Sequence, residues 1–152
     1  MIFDDLEKFK ISLDRGRRLL GMDLGLRRIG LSLSDRDWNI ATPKSVLKRG
    51  KVENDMKIIS TLMAENDVCA VVCGIPLNAD GYDTEMSILI RNFATTLDEY
   101  LNIPILLQDE RLTSFAAEEF LMDGMTRGYR DTKKVIDKVA AAYILQGVLD
   151  RI

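Results

Sequence analysis

The sequence predicts an α/β fold in which helices flank a mixed sheet. Two strand-like segments, residues 18–24 and 28–35, follow each other directly across a glycine-containing turn. Later in the chain, short apolar segments alternate with segments of helical periodicity. Strands joined by a tight turn pair antiparallel, whereas strands separated by a helix pair parallel. Both kinds of pairing are therefore expected in one sheet, and a chain of 152 residues is expected to form one domain.

Five strands are expected in this sheet. Ile29, Leu31 and Leu33 alternate with small residues, as in a half-exposed strand. Residues 68–73 form a continuous apolar run, as in a strand that is covered on both faces. The predicted strands are residues 18–24, 28–35, 40–46, 68–73 and 105–108.

Apolar residues at helical spacing predict the helices that cover the sheet. The predicted helices are residues 52–66, 84–101, 113–122 and 134–150, with residues 124–132 as a loop before the last one. Residues 1–17 are expected to form a polar N-terminal extension with no obvious core face, and residues 18–152 to form the folded domain.

Charge and composition restrict the classes of function. A net charge of −3 argues mildly against a nucleic-acid partner, although bound divalent cations can neutralise acidic side chains and phosphate together. No apolar run approaches the ~20 residues that span a membrane, and residues 1–18 lack the apolar block of a secretion signal. A cytoplasmic protein without membrane contact is therefore expected. Cys69 and Cys73 lie in an apolar stretch of a chain without histidine, which predicts two buried thiols rather than a zinc site.

Three acidic residues stand where a predicted strand ends or a predicted helix faces the sheet. Asp23 interrupts an otherwise apolar strand, and a carboxylate without compensation is costly to bury there. Glu110 follows the last predicted strand, and Asp137 shares a helical face with Ala141 and Ile144. Ligands of open α/β sheets lie beyond the carboxyl ends of the strands. The three carboxylates are therefore expected to converge.

Converging carboxylates repel one another and raise each other's pKa values unless a cation holds them. Their hard oxygen atoms suit Mg²⁺ or Mn²⁺, and a pair of such metals about 3.5–4 Å apart can assist hydrolysis of a phosphodiester. Each acid also has a structural interpretation: Asp23 stabilises a turn, Glu110 belongs to a strand-end ion pair, and Asp137 complements a helix dipole. From the residues alone, both interpretations stay open.

Four short motifs follow one another between about residue 19 and residue 150. They are Gly21–Gly25 with Arg28–Gly30, Gly74–Asn78 with Asp80–Gly81, Asp109–Thr113, and Val135–Lys138 with Ala140–Ala141 and Ile144–Gln146. In this order and at this spacing they resemble the YqgF/RuvX family. Members of that family are proposed Holliday junction resolvases that were later linked to maturation of the 5′ end of pre-16S rRNA.

The resemblance implies a ribonuclease H-like fold, with a mixed five-stranded sheet flanked by helices. The acidic active-site positions of the family fall on Asp23, Glu110 and Asp137, which would be both catalytic residues and metal ligands. The resemblance also implies a divalent metal, Mg²⁺ or Mn²⁺.

Six basic residues near these acids are expected to bind the substrate backbone. They are Arg111, Lys133, Lys134, Lys138, Arg127 and Arg130. Arg111 stands beside Glu110 and could orient it or contact a phosphate, the lysines flank Asp137, and the last two arginines lie on the predicted loop. An ion pair or a solvated surface is the structural alternative for each of them.

The expected activity is metal-dependent hydrolysis of phosphodiester bonds in structured RNA, during processing of the 5′ end of pre-16S rRNA. The alternative substrate is a four-way DNA junction, whose symmetric cleavage would require a two-fold dimer, and the sequence is compatible with a monomer or a homodimer. A third interpretation is a non-catalytic nucleotide- or nucleic-acid-binding regulatory module, because the strand–Asp–x–Gly–strand opening also occurs in actin-like ATPases. Those proteins need a second domain and a further phosphate loop, for which this chain is too short.

Overall fold

The computed structural model of the chain describes residues 1–78, 80–109 and 129–152, and for residues 129–134 the backbone alone. The elements in chain order are β1 (Ile2–Phe3), α1 (Leu6–Ile11), β2 (Arg18–Leu24), β3 (Arg28–Ser34), β4 (Ala41–Lys48), α2 (Val52–Glu65), β5 (Val68–Ile75), α3 (Glu85–Leu101), β6 (Ile105–Asp109) and α4 (Tyr129–Leu149).

The strands form one mixed sheet in the order β1-β6-β5-β2-β3-β4. The consecutive strands β2, β3 and β4 pair antiparallel, because only short turns connect them. The strands β2, β5 and β6 pair parallel, with α2 leading from β4 into β5 and α3 from β5 into β6. The predicted α/β class and the mixed sheet are confirmed, and the carboxyl ends of β2, β5 and β6 lie at one edge.

The predicted number of strands is wrong by one. All five predicted strands are present, and the described residues contain a sixth, the two-residue strand β1, which pairs parallel with β6. Its main-chain contacts are the pairs Ile2–Ile105 and Phe3–Leu106. Two residues are too few to show an alternating pattern, so the sequence carried no signal for this strand.

The two faces of the sheet are covered by different helices. On one face, α2 and α3 contribute Met56, Ile59 and Phe93 to a core that also contains Leu20 and Met22 of β2. On the other face, α4 contributes Ile144, Leu145 and Val148 to a second core that also contains Leu19 of β2. Because successive strand residues point to opposite faces, the odd-numbered residues of β2 face α4.

The N-terminal segment belongs to the second core. Phe9 of α1 is fully buried in it, and its ring contacts Phe3 edge to face, with 6.0 Å between the ring centroids. The expectation of no core face is therefore wrong, because the apolar residues Phe3, Leu6 and Phe9 recur every third position among charged ones and form a stripe. The division of the chain at residue 17 stays a prediction.

Two further expectations can be compared with the structure. Residues 129–132, which the sequence predicts as part of a loop, begin α4. The prediction is wrong because this segment has too few apolar residues to show a helical pattern. The predicted helix 113–122 lies outside the described residues. Cys69 and Cys73 are both buried, as predicted. Across the described part of the chain, no helix combines the length and the apolarity that crossing a membrane requires.

Candidate active site

Asp23 lies at the carboxyl end of β2, on the face that α4 covers. It pairs with Gly30 across the antiparallel β2–β3 ladder, so the two residues point to the same side of the sheet. Asp23 is partly buried, whereas its neighbours Met22 and Leu24 are buried in the opposite core. The alternation of the strand therefore places one carboxylate beneath α4.

Two glycines allow the backbone of α4 to contact this part of the sheet directly. A Cβ atom on Gly30 would lie 1.9 Å from the main-chain oxygen of Asp137. A Cβ atom on Gly21 would lie 2.8 Å from the main-chain oxygen of Ala141. Any side chain at either position would push the helix away, so these glycines set how closely the helix approaches.

The spacing of these contacts fixes the direction of the helix. Asp137 and Ala141 are one turn apart, which is about 6 Å along the axis, and two strand residues span about 6.6 Å. The earlier helix residue, Asp137, contacts Gly30, which is paired with Asp23, whereas the later one, Ala141, contacts Gly21. The helix α4 therefore runs antiparallel to β2. The hydroxyl of Ser32, which pairs with Gly21, donates to the Ala141 oxygen at 2.8 Å. The earlier turns of α4 therefore lie at the end of the sheet that carries Asp23.

The result is a pair of neighbouring carboxylates, Asp23 and Asp137. Burial, and secondly the negative charge of Asp137, raises the pKa of Asp23 from 3.8 to about 6. Both causes disfavour the ionised form of Asp23. A bound cation would favour the ionised form and so oppose this rise in pKa.

A positive side chain, that of Arg28, lies at this pair. Its Nε lies 2.9 Å from Oδ2 of Asp137. Sequence reasoning did not identify this ion pair, since it named Arg28 only as part of a family motif. A signal was available: Arg28 stands two residues before Gly30 in the same strand, and so shares the face on which Asp23 lies.

The turn between β2 and β3 is held from the neighbouring strand. The guanidinium of Arg49 donates to the Gly25 oxygen at 2.8 Å and packs over the Phe93 ring, 5.4 Å from its centroid. The Arg49 amide donates to the Arg27 oxygen at 2.8 Å. A cleft of about 350 Å³ is lined by residues 25–28 and Asp137. It leads from this turn to the acidic pair.

The remaining predicted residues are placed only in part. Glu110, Arg111 and Arg127 lie outside the described residues, and Glu110 follows directly on Asp109 at the end of β6. The backbones of Arg130, Lys133 and Lys134 belong to α4, and Lys138, which is partly buried, follows Asp137.

The structure thus brings Asp23 and Asp137 together. Among the side chains that it describes, which do not include Glu110, no three acidic, cysteine or histidine groups form a metal cluster. The three-carboxylate site stays a prediction.

Known proteins resemble the chain over nearly its whole length. A family model described as RuvX, Holliday junction resolvase, matches residues 17–151. A protein of Cereibacter sphaeroides is 40% identical over 152 residues, which are 100% of this chain and 94% of that protein. A protein of Roseobacter denitrificans is 41% identical over 154 aligned residues, with the same two coverages. Both relatives are named as candidate pre-16S rRNA nucleases.

Solved structures resemble the fold. RuvC of T. thermophilus, in complex with a Holliday junction substrate, matches with a TM-score of 0.56 and 13% identity, over 89% of this chain and 95% of that one. The Holliday junction resolvase of fowlpox virus matches with a TM-score of 0.51 and 11% identity, over 88% of this chain and 98% of that one. These similarities confirm the ribonuclease H-like fold that the motifs implied.

Proposed function

Because the chain belongs to the RuvX family, we propose that it is a nuclease that hydrolyses phosphodiester bonds with a divalent metal. Its proposed substrate is structured RNA, in the processing of the 5′ end of pre-16S rRNA. The relatives of about 40% identity, named for that activity, support this substrate. The observation that carries the proposal is that the carboxylates of Asp23 and Asp137 lie close together at the carboxyl end of β2.

The acidic pair fits a divalent cation. At neutral pH the site holds two neighbouring carboxylates, one of which is destabilised by burial. Their hard oxygen donors suit Mg²⁺ or Mn²⁺. Asp23, Asp137 and Glu110 are the proposed ligands. Glu110 is included because Asp109 ends β6 at the same edge of the sheet as Asp23.

When bound, the metal supplies a Lewis acid that stabilises charge on the phosphate and the departing oxygen. The protein residues position that chemistry. Gly21 and Gly30 bring α4 against the sheet, so the separation of Asp23 and Asp137 depends on backbone contact. Arg28 holds the carboxylate of Asp137 at 2.9 Å. The chain contains no histidine, so no imidazole acts as general base.

The proposed contacts to the substrate backbone are the six basic residues that the sequence analysis selected. They are Arg111, Lys133, Lys134, Lys138, Arg127 and Arg130. Lys138 adjoins a proposed ligand, and three others share its helix α4. We propose a cytoplasmic location because RNA processing takes place there.

A Holliday junction resolvase is the second candidate. The description of the matching family model favours it, and so does the RuvC fold. A resolvase must cut two strands symmetrically, so this candidate requires a homodimer, whereas RNA processing is also possible for a monomer.

Parallel cleavage assays test these candidates. Purified protein is incubated at matched salt with a pre-16S 5′-leader RNA and with a four-way DNA junction, each with Mg²⁺, with Mn²⁺ or with EDTA. Faster metal-dependent cleavage of the RNA supports the proposal, and faster cleavage of the junction favours the resolvase. Cleavage of neither substrate would support the non-catalytic regulatory module. The Glu110→Gln variant should lose activity, and full activity of this variant would exclude Glu110 as a ligand.

A further inference from the structure

We propose that a basic strip, formed by Arg27, Arg28, Lys48 and Lys51, binds the sugar–phosphate backbone of the substrate where it enters the acidic pair. The strip occupies the β2–β3 turn, the end of β4 and the residue before α2. It extends the proposed function by naming a second binding surface. Sequence reasoning placed the substrate contacts on α4 and the segment before it.

The charge of this region is opposite in sign to the net charge of the chain. The net charge is −3, but the charged residues within 27–34 and 41–51 are all positive. They comprise the basic strip together with Lys44 and Arg49. A positive patch on an acidic protein points to a polyanionic partner at that place.

The sheet holds these positive charges close together. Arg28 and Lys48 are paired across the β3–β4 ladder, and like charges directly opposite each other destabilise a sheet. Among the side chains that the structure describes, no carboxylate lies within ion-pair distance of Arg27, Lys48 or Lys51. Arg27, Lys48 and Lys51 are exposed. An arriving phosphate would relieve this repulsion.

The location of the strip favours a polynucleotide, rather than an acidic protein, as its partner. One cleft is lined both by Arg27 and Arg28 of the strip and by Asp137 of the acidic pair. Two carboxylates repel a nucleic-acid backbone, so phosphates beside the scissile one need positive charge outside the metal site. Arg28 joins the two regions, since it belongs to the strip and also pairs with Asp137.

Binding measurements without cleavage test the strip. Fluorescence anisotropy of a labelled RNA hairpin with a single-stranded 5′ flank, and of a labelled four-way DNA junction, is recorded in EDTA from 0.05 to about 0.3 M salt. The test variant is Arg27→Gln/Lys48→Gln. The control is Lys8→Gln/Arg151→Gln, which removes the same charge from exposed residues of α1 and of the C-terminal end.

Loss of two phosphate contacts should reduce the slope of log K against log salt by about 1.4 for a single strand, because each contact contributes about 0.7. Taking equal binding at 1 M salt as the reference, the test variant should bind about 25-fold more weakly than the unaltered protein at 0.1 M salt. The control should bind like the unaltered protein. Loss on RNA alone or on DNA alone supports the strip and identifies the nucleic acid.

Two results would overturn the inference. One is a test variant that binds both probes with the affinity and slope of the control. The other is competition by poly-glutamate as strong as that by RNA, which would indicate a surface for acidic proteins. The Asp23→Asn variant separates this test from that of the proposed function, because it should lose cleavage and keep binding. Binding that depends on the strip, without any cleavage by the unaltered protein, would contradict only the nuclease.

Discussion

The main-chain oxygen of Asp137 occupies the space that a side chain on Gly30 would need, 1.9 Å from the position of its Cβ atom. The distance between the carboxylates of Asp23 and Asp137 therefore depends on Gly30, because this residue has no side chain. Glycine is required here by close approach of a backbone, and not by an unusual backbone conformation.

Gly30→Ala should destabilise the protein by about 1–3 kcal/mol, the range for an overpacked interior, and should move Asp137 away from Asp23. Nuclease activity should fall more steeply than stability. Gly147→Ala is the control, since a Cβ atom there meets nothing within 4 Å. It should stabilise α4 by about 0.5–1 kcal/mol, because alanine favours the helix. Urea unfolding and cleavage rates check both variants, and an unimpaired Gly30→Ala protein would contradict the close approach.

Asp23→Asn should stabilise the metal-free protein at neutral pH. The pKa of Asp23 is raised to about 6 in the folded state, from 3.8, so the folded state binds its proton more tightly. Stability from this group is lost as pH rises from about 4 to about 6, by at most about 3 kcal/mol. The advantage of the variant should therefore be largest above pH 6 and vanish below pH 4. Unfolding in EDTA between pH 4 and pH 8 measures it.

Asp35→Asn is the control, because it should change the stability of the protein in the opposite direction. Backbone hydrogen bonds, above all from the Ile40 amide, lower the pKa of Asp35. This group contributes stability above its unfolded pKa, and that stability is lost as pH falls. The control should be less stable than the unaltered protein at pH 7. Equal behaviour of the two variants at pH 7 would show that burial does not destabilise the Asp23 carboxylate.

Mn²⁺ should raise the melting temperature of the unaltered protein and leave that of Asp23→Asn and Asp137→Asn unchanged. A ligand at 100 times its Kd adds about 2.7 kcal/mol of stability. For a domain of this size, that gain corresponds to a shift of about 5–10 °C. Asp35→Asn should keep the full shift. An equal shift in Asp23→Asn would place the metal elsewhere.

Phe9→Ala should destabilise the whole protein by about 3–5 kcal/mol, the range for a large aromatic residue removed from a core. Ile11→Ala, in the same helix, should change little, because Ile11 is 87% exposed. A single cooperative transition for Phe9→Ala, shifted to lower denaturant, would show that residues 1–17 fold with the domain. Loss of α1 alone, with the main transition unmoved, would support the predicted division at residue 17.

The placement of Asp23 and Asp137 at one interface could be predicted from the sequence, because the strand pattern and the helix pattern each indicate it. Asp23 lies at an odd position of an apolar strand, and Asp137 lies in line with Ala141 on the last helix, so both patterns point to one interface. The ion pair between Arg28 and Asp137 was predictable only in part: the strand pattern gives the face on which Arg28 lies, but not which turn of α4 lies over β3. That register is set by glycines, which carry no hydrophobic signal.

The two outer strands of the sheet, as the described residues form it, limit how copies of this chain could assemble. One is β1, only two residues long, and the other is β4, which contains Pro43 and Lys44 and has an irregular register opposite β3. Short strands, proline, lysine and bulges are features that prevent a sheet from pairing with another sheet. A homodimer, which a resolvase would need, is therefore expected to form through its helices and not by strand addition.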